Sequence, residues 1–134
     1  MKTIVAIIEK ASDGGYSIYT KDVDGGFASG LAEDEARKDF LEVLEEQADF
    51  YRERAGNYPD WFLEGYTVAF HYDISGFFLA FPFFNVSKLA EAIGINPSLM
   101  RKYKEGLAFA SEKQKEIIQN GLNDIIKKMS TVQF

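Results

Sequence analysis

Lys2-Thr3-Ile4-Val5-Ala6-Ile7-Ile8-Glu9-Lys10, then Asp13-Gly14-Gly15, then Tyr16-Ser17-Ile18-Tyr19-Thr20, is the stretch that decides the class of this fold. The first run is nearly continuous in apolar residues, as expected of a strand in the middle of a sheet with both faces covered. Asp-Gly-Gly is a strong hairpin signal, and the alternating residues from Tyr16 to Thr20 are set to pair antiparallel with the first strand. A second turn at Asp24-Gly25-Gly26 introduces a third short strand around Phe27-Ala28-Ser29. From Glu33 to about Arg54 the periodicity changes. Ala36, Phe40, Leu44, Ala48 and Tyr51, with Leu41 beside them, form a helical stripe at 3.6-residue spacing. Gly56, Pro59 and Gly65 mark a loop. Alternation then returns from Tyr66 to Tyr72, with Val68, Phe70 and Tyr72 opposite Thr67, Ala69 and His71. The front of the chain is therefore expected to be a β-β-β-α-β unit over residues 1–73.

The remainder, 74–134, reads as wholly helical. Asp73 is placed to cap a short helix carrying Phe77, Phe78 and Phe81, which Pro82 stops. Asn85 caps a helix from Val86 to Ile93, ended by Gly94. Asn96 and Pro97 together open the next, to about Lys104. Ser111 with Gln114 is a capping-box pattern opening a last helix to about Met129. Ile118, Leu122, Ile125 and Met129 recur along it, a stripe suited to packing on the preceding helices or to a dimer seam. The Phe77, Phe78, Phe81, Phe83, Phe84 cluster is expected in the core of the helical module or packed between the two modules, the alternative being a partner groove or exposed patch.

Composition narrows the chemistry. The 134 residues are 46% hydrophobic with 3 Pro, which excludes disorder as a whole-chain reading. The longest apolar run, Phe77 to Phe84, is far shorter than the ~20 residues of a membrane-spanning helix, and Met1-Lys2-Thr3 runs into a strand without a secretory signal, so a cytoplasmic location is expected. Having no cysteine excludes disulfides, thiol catalysis and thiolate metal sites, and a single histidine, His71, argues against a His-based metal site. A residual nuclease site would need carboxylates converging on metal ions. Only Glu9, Asp22, Asp24 and Asp73 lie near strand ends, and a turn and a helix cap account for Asp24 and Asp73. No enzyme activity, cofactor or metal is expected.

Charge is divided. Residues 1–84 hold 7 Lys and Arg against 16 Asp and Glu, a net −9, whereas residues 85–134 hold 8 against 5, a net +3. An acidic front and a basic tail point to partners of opposite charge: something basic for the first, a polyanion for the second.

Leu89-Ala90-Glu91-Ala92-Ile93-Gly94-Ile95-Asn96-Pro97-Ser98-Leu99-Met100-Arg101-Lys102-Tyr103 resembles a helix-turn-helix of the phage-repressor and Cro type. Ala90 is small where the second helix crosses, Gly94 supplies the left-handed turn, and Ile93, Ile95, Met100 and Tyr103 fill the shared core. This leaves Asn96, Ser98, Arg101 and Lys102 outward for base edges and phosphates, flanked by Lys88 and Lys104 as phosphate clamps.

The front half with this tail resembles the HicB family of bacterial antitoxins. The resemblance is carried by the opening strand, Asp13-Gly14-Gly15-Tyr16, the run from Asp22 to Gly30, the helix from Glu33-Asp34-Glu35-Ala36, and the Asn96 to Arg101 block. Leu31-Ala32 stands where the family usually has Asp-Thr, which removes an expected helix cap, and residues 55–65 look like an insertion. The resemblance implies an α+β protein: a partially degraded RNase H-like domain followed by an all-α helix-turn-helix domain. It implies an antitoxin that neutralises a small, basic, mRNA-cleaving HicA-like toxin and represses its own operon by binding operator DNA. A homodimer or higher homo-oligomer is expected, since two half-sites require two recognition helices. The alternative is a helix-turn-helix regulator whose front domain binds a small ligand or another protein.

Overall fold

The computed structural model describes residues Met1–Phe134 and divides them into two compact units, Met1–Ala80 and Phe81–Phe134. In the first, β1 (Lys2–Lys10), β2 (Tyr16–Tyr19), β3 (Phe27–Gly30) and β4 (Tyr66–Tyr72) form one mixed sheet in the order β3-β2-β1-β4. Neighbours pair antiparallel except β1 and β4, which run parallel with Lys2 opposite Tyr66 and Ile8 opposite Tyr72. The turns form where glycine allows them. Gly14 sits at φ +104 and Gly25 at φ +73, left-handed conformations that other residues rarely adopt.

Helix α1 (Glu33–Ala55) covers one face of the sheet. Ala36, Phe40, Leu44 and Ala48 are fully buried, and the first three share one core with Ile4, Ala6, Ile8, Ile18 and Ala28. The small residues let the backbones approach: a Cβ on Gly30 would lie 2.8 Å from the Ala36 nitrogen. Two members of the expected stripe are corrected. Leu41 is 44% exposed and Tyr51 43%. Leu41 is one residue round the helix from Phe40, and Tyr51 lies beyond Ala48, the last fully buried residue of α1. The expectation of two covered sheet faces is also modified. Ile4, Ala6 and Ile8 are fully buried, but Val5 and Ile7 are only half-buried. On that second face the register aligns His71, Ile7, Tyr19 and Phe27 in one row across all four strands.

The loop after α1 contains a short helix, α2 (Asp60–Leu63), that hydrophobic periodicity does not reveal because it is a single turn. Its Trp61 packs edge-on to Tyr66, and Phe62 stacks on Tyr58. Helix α3 (Ile74–Ala80) follows β4. It belongs to the first unit, so that unit ends at Ala80 and not at residue 73. Gly76 is the reason: a Cβ there would lie 3.1 Å from the Lys10 nitrogen and 3.2 Å from the Ile8 carbonyl, so α3 seats its backbone directly on β1.

The second unit consists of α4 (Val86–Ile93), α5 (Pro97–Glu105) and α6 (Glu112–Met129). Leu89, Ala90, Ile95, Met100, Tyr103 and Ile118 make its core. Gly121 brings α6 against α4, since a Cβ there would come within 2.6 Å of the Ile93 side chain. The aromatic cluster is split. Phe78 is buried in the first unit, whereas Phe83 is 76% exposed at the start of the second. No helix is long and apolar enough to cross a membrane.

Candidate nucleic-acid interface

Helices α4 and α5 are each closed at both ends by local chemistry. The Asn85 Oδ1 accepts from the Lys88 N–H at 3.0 Å, and the Asn96 Oδ1 accepts from the Leu99 N–H at 3.1 Å. Gly94 and Gly106 end the two helices in the left-handed conformation, at φ +93 and +74. The Gly94 and Ile95 N–H groups both donate to the Ala90 carbonyl, which turns the chain within two residues. Ile95 then drops into the core at 4% exposure. The apolar pattern of α5 puts Met100 and Tyr103 inside, at 0% and 5%.

The remaining face of this helix pair is polar and exposed. Asn96, Ser98, Arg101, Lys102, Lys88 and Lys104 all lie at the surface of the second unit. Arg101 is not paired with a carboxylate; its guanidinium is held by two hydroxyls. Asn96 spends its carbonyl oxygen on the helix cap, so only its amide N–H groups are left to donate outward. Arg101 is held from both helices. Its Nη1 donates to the Ser87 Oγ at 2.6 Å and its Nη2 to the Ser98 Oγ at 3.0 Å. The Ser98 contact follows from i, i+3 spacing on one helix. Ser87 lies 14 residues away on α4, and sequence spacing gives no sign of it.

The acidic candidates of the first unit have structural duties. The Asp22 Oδ2 accepts the Val5 N–H at 2.9 Å, beyond the end of β2, where β1 has no strand partner on that side. Asp73 reaches the Gly76 N–H at 3.4 Å, a weak version of the expected cap. Burial first, then the Glu9 and Asp73 charges, push the Tyr19 phenol above its ordinary value of 10.0. Nowhere do three His, Asp or Glu side chains converge as a metal site would require. On α1, Glu33 pairs with Arg37 at 3.1 Å, Asp39 accepts weakly from the Ser29 N–H, and Asp49 accepts from the Tyr58 hydroxyl. Asp34, Glu35, Glu42, Glu45 and Glu46 face solvent. No protein-family model, curated protein or solved structure matches the chain.

Proposed function

We propose that this chain is a HicB-like antitoxin and autorepressor: its acidic unit neutralises a small basic HicA-like toxin, and its basic unit binds operator DNA as a helix-turn-helix. One observation carries the reading. The charge division falls on the division into compact units, with 7 Lys and Arg against 16 Asp and Glu in residues 1–80, and 8 against 5 in residues 81–134. The sequence of elements in the first unit, three strands, a long helix and a fourth strand, supports an RNase H-like frame. In the second, the αL turn at Gly94, the buried Ala90, Ile95, Met100 and Tyr103, and the exposed Ser98, Arg101 and Lys102 support α5 as a recognition helix.

The physical roles follow. The toxin cleaves RNA and carries a cationic surface; the carboxylates of α1 that face solvent complement such a surface and steer its approach. The α5 face enters the major groove, where Arg101 and Lys102 meet bases and phosphates while Lys88 and Lys104 hold the backbone on either side. Self-association through the C-terminal half of α6 supplies the second recognition helix. The α6 stripe is covered at Ile118 (8% exposed) but open at Met129 (66%).

Fluorescence anisotropy with the DNA upstream of the chain's own reading frame tests the DNA half of this proposal. Affinity is expected to fall with salt at a log–log slope of about −0.9 for each phosphate neutralised, and Lys88→Ala with Lys104→Ala to flatten that slope. A slope the double variant leaves unchanged removes both lysines from the interface. Co-expression with the product of the neighbouring reading frame tests the other half: rescue from its toxicity is expected to survive Arg101→Ala.

A further inference from the structure

We infer that Ser87 is a positioning residue for DNA reading: with Ser98 it fixes the Arg101 guanidinium across the two helices so that its remaining donors face a guanine. This rests on the DNA-binding reading above. The geometry behind it is specific. An arginine on an exposed helix face ordinarily samples many rotamers, and ordering it on a ligand costs affinity. Here the guanidinium is ordered before any ligand arrives, by Nη1 to the Ser87 Oγ at 2.6 Å and Nη2 to the Ser98 Oγ at 3.0 Å. Both anchors are neutral hydroxyls, so the positive charge is oriented without being neutralised. A carboxylate at either position would hold Arg101 more strongly but would cancel the charge and repel phosphate.

Ser87 is in a position to do this for a structural reason. Asn85 caps α4, which places Ser87 in its first turn, and Arg101 lies in the middle of α5, so the bond spans the helix pair. Any rotation of α5 against α4 moves one anchor relative to the other. Of the five N–H donors of the guanidinium, one on Nη1 and one on Nη2 are taken, leaving three. The chemistry that matches a fixed planar donor group is a pair of acceptors in one plane. The O6 and N7 atoms of guanine present such a pair in the major groove. Phosphate oxygens are the competing acceptors, and they carry no sequence information.

The probe is double-stranded DNA selected from a random-sequence pool by the parent full-length chain, with 7-deazaguanine placed at each guanine of the selected site in turn. Ser87→Ala is expected to weaken binding to the selected site about tenfold, the scale of one hydrogen bond to a charged group. Ser87→Thr, which keeps the hydroxyl, is expected to restore it. Thermal stability of both variants is expected to match the parent, because the serine is not part of the core. One 7-deazaguanine substitution is expected to cost the parent affinity and to cost Arg101→Ala nothing. Equal affinity of Ser87→Ala and parent, beside a weakened Arg101→Ala, overturns the positioning role while leaving the DNA-binding reading intact. If no 7-deazaguanine position matters and Ser87→Ala changes only the salt slope, Arg101 holds phosphate and the guanine assignment fails. A parent chain that selects no sequence overturns the reading itself.

Discussion

At the scale of single residues, the titrating groups that stand out are two tyrosines. Burial, followed by the Glu9 and Asp73 charges, raises the Tyr19 phenol, and burial followed by the Glu45 charge raises Tyr66, both from 10.0. Below pH 10 the folded and unfolded chains both keep these protons. Above it the unfolded chain releases them first, so stability is complete below about pH 10 and falls as pH rises through the folded values. Tyrosinate absorbance is therefore expected to show two late-ionising groups, and Tyr19→Phe to remove one of them and soften the alkaline loss of stability. If the phenol that Tyr19→Phe removes is one that ionises at its ordinary value, burial and the Glu9 and Asp73 charges do not act on it in solution. Asp22 shows how far a residue can be read from sequence. Its place near a strand end marked it as a nuclease candidate, and only the pairing register revealed that it completes β1 at Val5.

At the scale of elements, α1 begins without the cap its length would justify. Ala32 occupies the N-cap position with extended φ and ψ and has no side-chain acceptor, and Glu33, Asp34 and Glu35 in the first turn supply only the favourable charge. Ala32→Ser is expected to stabilise the first unit by about 1 kcal/mol, seen as a higher urea midpoint at unchanged slope. No shift in the midpoint would mean that the first turn is already satisfied by solvent. The other caps were legible in advance: Asn85, Asn96 and Ser111 each accept from the N–H three residues on. A cap is a local event, settled by residues within one turn, and so it is written in the sequence. The assignment of α3 was not, because its seat is the backbone of β1, more than 60 residues earlier, and Gly76 takes part by lacking a side chain.

At the scale of the whole molecule, the proposed DNA-binding reading calls for a second copy of the chain, since two half-sites require two recognition helices. The α6 stripe runs past the residues that cover it: Met129 is 66% exposed, and Ile126, which widens the stripe, 62%. Ile126→Glu is expected to convert the proposed homodimer to monomer in sedimentation velocity and to weaken operator binding. Folding stability should stay within about 0.5 kcal/mol, as for most surface changes. A variant that still sediments as a dimer would place the seam elsewhere, and a parent chain that sediments as a monomer would overturn the homodimer. The sequence by itself determined the order of the strands and of every helix except the single turn α2, the turns at Asp13-Gly14-Gly15 and Asp24-Gly25-Gly26, the buried stripe from Ala36 to Ala48, and the division of charge. Each of these is set by neighbours within a turn or by composition, where periodicity and backbone sterics act directly. The tertiary structure alone decided the parallel pairing of β1 with β4, the half-open second face of the sheet, the seat of α3 and the hold of Ser87 on Arg101. These join residues far apart in the chain, and their geometry depends on which surfaces remain once the local elements have packed.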